Sequence, residues 1–272
     1  MNISSRYRSV CLSIGPAVIA TWAIAAPAQA AAFSSALGSF QIDFWSSPLD
    51  IETATLTDSE AISGDGIADA SSDADIDFFI EPAGGLIEAS GESVVTGSGN
   101  GFSSFSEGQA IASGIFELDA GETFAFDFSG SLMLKTSIGD PEQESAFASG
   151  EFGLLLLNES DPGAEQEFLQ IFTFLETLGN EPEPFVDSQG NFNLTLLNVT
   201  QSLGGLEEST SINFEGTYSQ KFDRATTFRL QEAGLFLAAD AQAVPDPSVV
   251  LGLMSLVSYG LLSQLRKLMV SA

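Results

Sequence analysis

The sequence has no histidine, one cysteine and only eight bases, and each shortage removes a class of function. Without histidine there is no Ser-His-Asp triad and no His-ligated zinc. The cysteine, Cys11, lies in an N-terminal stretch of leader character, so the rest of the chain has neither disulfide nor thiol nucleophile. Cys11 also precedes most of its apolar run instead of ending it, which does not suit a lipoprotein. Ser-Lys chemistry would fall to Lys135 or Lys221, but Ser131 stands four residues before Lys135, one too many for a Ser-x-x-Lys motif.

The bases are scarce where they would matter. Arg6 and Arg8 sit near the start, Arg266 and Lys267 near the end. The middle keeps Lys135, Lys221, Arg224 and Arg229 against 36 of the 37 acids, a net charge of −32. Such a surface repels phosphate backbones, so nucleic acid is not an expected partner. It favours solubility and attracts divalent cations.

Both ends read as processing segments. Arg6 and Arg8 form a basic region, residues 10–26 are apolar apart from an interrupting Pro16, and Pro27-Ala28-Gln29-Ala30 follows. Ala28 and Ala30 give the small-x-small pattern that signal peptidase accepts, so cleavage is expected after Ala30. At the other end, residues 249–265 carry no charge. As a helix that run spans ~26 Å, just short of a ~30 Å hydrocarbon core. Pro245 and Pro247 stop a helix from running back into the domain, and Arg266-Lys267 would hold the far end in the cytoplasm. The expected division is residues 1–30 as signal peptide, 31–243 as an acidic ectodomain, and 244–272 as motif, membrane helix and basic tail.

The order Val244-Pro245-Asp246-Pro247, apolar run, Arg266-Lys267 resembles the PEP-CTERM sorting signal of exported Gram-negative proteins. Asp246 stands where that family has Glu. The resemblance covers about 28 of the 272 residues and does not reach the domain. It implies recognition by an exosortase-type processing enzyme, transient holding in the inner membrane by the C-terminal helix, and release to the cell surface or an exopolysaccharide matrix in a biofilm-forming bacterium.

Between the ends, hydrophobicity steps by two. Thr123-Phe124-Ala125-Phe126-Asp127-Phe128-Ser129 places three phenylalanines on one face. Residues 115–118 precede it across an Asp119-Ala120-Gly121 turn and 132–134 follow Gly130, which predicts a meander of three short strands. Residues 152–157, 192–197, 212–218 and 226–230 read as further strands. The spacing in 165–178 fits a helix or a strand, and we favour a strand. Residues 58–114, rich in Ser, Gly, Ala and Asp, predict a flat, weakly packed sheet or a loose loop. Ser63-Gly64-Asp65-Gly66 and Ser98-Gly99-Asn100-Gly101 carry tight-turn dipeptides and are expected at hairpin tips. Many short strands with Gly-rich turns predict an all-β domain, a β-sandwich or jelly roll.

Two clusters are candidates for chemistry. Asp65, Asp69, Asp73, Asp75 and Asp77 supply the hard oxygens that Ca²⁺ takes, and Asp73-Ala74-Asp75-Ile76-Asp77 has the opening spacing of an EF-hand loop. Phe78 replaces the required Gly and Pro82-Ala83-Gly84-Gly85 lies where the closing Glu belongs, so an EF-hand is excluded. On a strand the aspartates would share one face as a solvated polar edge, with Ca²⁺ the only candidate cofactor. Lys221, Arg224 and Arg229 could touch an anionic polysaccharide, but are expected to pair with acids such as Glu215, Asp223 and Glu232.

The expected function is therefore non-catalytic: an exported structural or interaction protein of the surface or matrix. A Ca²⁺-assisted carbohydrate-binding module is the alternative. A carboxylate-dependent glycoside hydrolase comes third, because 36 acids offer many pairs but aromatic sugar platforms are few.

Overall fold

A computed structural model describes residues 32–45, 50–63, 67–81, 84–99, 101–141, 143–161, 166–177 and 184–243. The expected signal peptide and C-terminal helix lie outside them. The described chain is all-β. Its twelve strands are β1 Ala32–Phe44, β2 Asp50–Ser63, β3 Ile67–Glu81, β4 Gly84–Ser98, β5 Phe102–Leu118, β6 Thr123–Ile138, β7 Glu144–Asn158, β8 Glu167–Glu176, β9 Phe185–Gln189, β10 Phe192–Ser202, β11 Glu207–Lys221 and β12 Thr226–Ala243.

They form two six-stranded antiparallel sheets packed face to face, in the orders β10-β11-β6-β1-β4-β3 and β2-β5-β12-β7-β8-β9. Inward residues alternate with outward ones: along β5, Phe102, Ser104, Ser106, Gly108, Ala110, Ala112, Gly114, Phe116 and Leu118 all face the other sheet. That step of two is the sequence periodicity made physical.

The interior changes character along the strands. One pole is aromatic: Phe116 and Phe124 lie 4.6 Å apart between ring centres, Phe124 and Phe228 5.0 Å, and Phe126 stacks on Tyr218 at 5.1 Å. Each such ring contributes about 2–3 kcal/mol by burial, with aromatic pairing adding to it. Towards the other pole most inward residues shrink to Ala, Gly and Ser, around a few larger ones such as Val95, Phe102 and Ile138. There the sheets come well inside the usual ~10 Å, because serine hydroxyls of one sheet reach main-chain carbonyls of the other. Ser93 donates to Leu237 O at 3.3 Å, Ser104 to Thr96 O at 3.2 Å, Ser106 to Ser71 O at 2.5 Å, and Ser72 to Asp58 O at 3.2 Å. Ser34 donates to Phe147 O in the same way. The small residues of 58–114 thus do not leave a loose loop. They belong to β2–β5 and let two backbones approach.

Two local expectations fail for one reason. The Asp119–Gly121 turn does not join a meander, because β5 and β6 belong to different sheets. It is an arch between the sheets, closed by Gly121 N–H donating to Phe222 O at 2.7 Å. Ser98–Gly101 likewise joins β4 to β5 across the sandwich, with Gly99 at φ 89° and Gly101 at φ 71°, and is no hairpin tip. The segment 63–66 joins β2 to β3, again strands of different sheets; Asp65 itself lies outside the described residues. Nor does Gly130 end a strand. It sits mid-way along β6, where a Cβ would stand 2.4 Å from the Phe214 ring and 2.6 Å from Ser39 O. The ambiguous 165–178 segment is a strand, β8.

Candidate interaction face

The two outward faces of the sandwich differ in kind. On the first sheet β3 turns Asp69, Asp73, Asp75 and Asp77 to solvent, all exposed. Register sets Asp73 directly opposite Glu92, and Asp77 opposite Glu88. Asp43 faces Asp127 further along the same surface. Burial and, second, the Asp43 charge raise the Asp127 pKa. Successive outward residues of a strand stand ~6.6 Å apart, too far for one cation to gather three of them. Among the described residues no group of three acids is placed to hold a metal. The structure thus brings four of the five sequence-predicted aspartates onto one face, as a ladder.

The outer face of the second sheet is apolar. Phe105, Ile111 and Ile115 of β5, Phe236 of β12, Phe147, Leu155 and Leu157 of β7, and Phe168, Phe172 and Phe174 of β8 all turn outward and shield one another to intermediate exposure. Phe147 stacks with Phe174 at 6.3 Å, and Phe172 lies 6.2 Å from Phe174. Phe185 of the edge strand β9 extends the patch and is 52% exposed.

Five carboxylates stand among these side chains: Glu107, Glu151, Glu232, Asp240 and, directly opposite Phe147, Glu176. Glu232 reaches the face because β12 bulges between Leu230 and Ala233. Before the bulge even-numbered residues point inward (Phe228, Leu230); after it odd-numbered ones do (Ala233, Leu235). Such a bulge re-aims a side chain at the cost of one ladder position. Beside Glu232, Gly234 pairs directly with Gly153 of β7. A Cβ on Gly153 would have Glu151 Oε1 at 3.9 Å as its nearest neighbour, and one on Gly234 would have Glu232 Oε1 at 3.2 Å. Two carboxylates therefore lean over a floor of two glycines, with the Phe236 ring alongside at 2.6 Å from the same Gly234 position. Gln170 Nε2 holds Glu151 Oε1 at 2.8 Å.

Burial, then the Glu151 charge, push Glu232 up to about 7. Glu151 is raised by burial, partly offset by the Gln170 hydrogen bond. Towards the other pole burial pushes Asp240 up to about 6 against a Gln242 hydrogen bond, and raises Glu107 with help from Asp58, its cross-strand neighbour. Carboxylates held among phenylalanines favour the neutral form because the charged one loses its water.

Of the basic cluster, Arg224 pairs with Asp161 at 2.8 Å and Arg229 with Glu159 at 2.5 Å. These are not the expected partners Glu215, Asp223 and Glu232. β7 is a neighbour of β12, so the turn after Asn158 delivers its acids to those arginines. Glu232, left to the glycine floor, was not singled out as a site by sequence reasoning. Its signal was the adjacent polar pair Gln231-Glu232 inside an alternating strand, a mark of a bulge.

Ala28, Ala30, Val244, Pro245, Asp246, Pro247, Arg266 and Lys267 lie outside the described residues. Among the described residues no helix is long and apolar enough to cross a membrane. Set against protein-family models, curated proteins and solved structures, the chain matches none.

Proposed function

We propose that this chain is an exported, non-catalytic β-sandwich of the cell surface or exopolysaccharide matrix that works by contact, through the outer face of its second sheet. The observation that carries the reading is the asymmetry between the two outward faces: the first is mainly acidic and serine-rich, with exposed Ile67, Phe79 and Leu196 confined to its outer strands, whereas the second carries a continuous patch of phenylalanine, leucine and isoleucine. A solvated antiparallel sheet needs no aromatic outer face, and apolar patches of this kind mark contact sites. Export rests on residues 1–30, and sorting on residues 244–272 through an exosortase-type enzyme after transient membrane anchoring.

Two measurements test this. Mass spectrometry of the mature protein from its own cells should find an N-terminus at Ala31 and a C-terminus near Pro245; an intact Ala272 would make the tail a plain anchor. Replacing Phe172 and Phe174 by Ser should release the protein from the matrix fraction without unfolding it, whereas unchanged retention would remove the face from the proposal.

A glycoside hydrolase is the second reading, favoured by the Glu151–Glu232 pair with its raised acid. Glycan turnover abolished by Glu232→Gln would establish it. Carbohydrate binding without turnover would establish the binding-module alternative.

A further inference from the structure

An apolar surface with carboxylates set into it constrains what covers it. An apolar partner would bury Glu151, Glu232, Glu107 and Asp240 further, taking their remaining water and supplying no cation in return. An anionic partner meets a chain of net charge −29. A partner that brings both cations and apolar side chains satisfies the carboxylates and buries the phenylalanines. The face cannot do this for itself: its one base among the described residues, Arg229, is engaged by Glu159 at 2.5 Å.

We infer that the outer face of the second sheet docks a basic amphipathic polypeptide segment, whose Lys or Arg head groups sit over the Gly153–Gly234 floor between Glu151 and Glu232, and near Glu107 and Asp240. The inference rests on the contact reading above and adds the class of partner. Position supports it. Glu232 and Asp240 lie eight residues apart on β12, roughly 25 Å at ~3.3 Å per residue. A helix covers that length in about 17 residues, so one segment of ordinary size spans both acidic places with apolar residues between them. A cationic polysaccharide fits less well. The aromatic side chains of this face are phenylalanines, which offer no hydrogen-bonding group to sugar hydroxyls.

The test uses the full chain and an 18-residue Leu/Lys amphipathic peptide, with a glucosamine oligomer as the competing polycation. Isothermal titration should show saturable one-to-one peptide binding. Glu151→Gln with Glu232→Gln should weaken it about ten-fold or more, as losing close charge pairs does. Asp73→Asn with Glu92→Gln removes as much charge from the other face and should leave affinity within about two-fold. These substitutions are near-isosteric, and a thermal melt of each variant confirms the fold. Equal losses in both double variants would reduce the effect to the general field of the protein and overturn the inference. So would tighter binding of the glucosamine oligomer. Peptide binding that appears only after Arg266→Gln with Lys267→Gln would assign the face to the chain's own tail, and overturn it too. If the Phe172/Phe174 variant leaves the matrix while the Glu151/Glu232 variant binds peptide normally, the partner class fails and the contact face survives.

Discussion

Replacing Glu232 by Gln should leave stability unchanged at low pH and stabilise the protein progressively as pH rises from 4.5 through about 7. Glu232 stands among Phe236, Leu155 and Ile111 with a folded-state pKa of about 7 against 4.5 for a free glutamate. A raised acid contributes stability below its unfolded pKa and loses it as pH climbs through the folded one. The window is therefore pH 4.5 to 7. The difference of about 2.5 units corresponds to about 3 kcal/mol of penalty once the group is fully charged. Gln keeps the shape and removes the charge at every pH. Urea unfolding should show the variant equal to wild type at pH 4 and more stable by up to about 3 kcal/mol at pH 8. Glu151→Gln should change stability in the same direction but by less, because Gln170 partly offsets the burial of Glu151 and its charge is only the second cause of the Glu232 shift. A stability difference independent of pH would mean that Glu232 acts by shape or hydrogen bonding, and the desolvation argument would fall.

Three further outcomes follow from packing and charge. Gly130→Ala should cost about 1–3 kcal/mol in chemical denaturation, since the new methyl would stand 2.6 Å from Ser39 O, whereas Gly121→Ala, with open space around it and φ 90°, should show only the ~1 kcal/mol of left-handed strain. Thr173→Val should raise stability by about 1 kcal/mol, because its hydroxyl is buried with no hydrogen-bond partner; a loss would mean that the hydroxyl is bonded to ordered water. Ca²⁺ and Mg²⁺ should raise the melting temperature equally, by screening the Asp73–Glu92 and Asp77–Glu88 ladder, and a Ca²⁺-specific rise at submillimolar concentration would refute that picture.

Strand content was readable because burial follows the step of two, even in β8, where helical spacing competed. The placement of the aspartates on one outward face also followed from alternation once 67–81 was a strand. Sheet membership was not readable. A short Asp-Ala-Gly turn is the same in sequence whether it reverses a strand within one sheet or arches to the other. The choice depends on β11 and β12, about a hundred residues later, taking the places beside β6 and β5. The serine bridges were hidden for a similar reason: Ser106 and Ser71 look like surface residues until the two backbones are brought together. The apolar patch was hidden because its residues are split among five strands, and the outward phenylalanines of β8 alternate with equally apolar inward ones such as Leu169, Ile171 and Leu175.

Ala32 opens β1, Ala243 closes β12, and both lie in one small cluster with Phe102, Ile138 and Ala146 at the small-residue pole. The aromatic pole is then the end far from both Ala32 and Ala243, roughly 60 Å away along the 18 residues of β12. A chain gripped by whatever follows Ala243 would stand upright on its thin end, its heavy end outermost. The contact face would run along the side of the post, and several such posts planted in one layer could be laced together sideways.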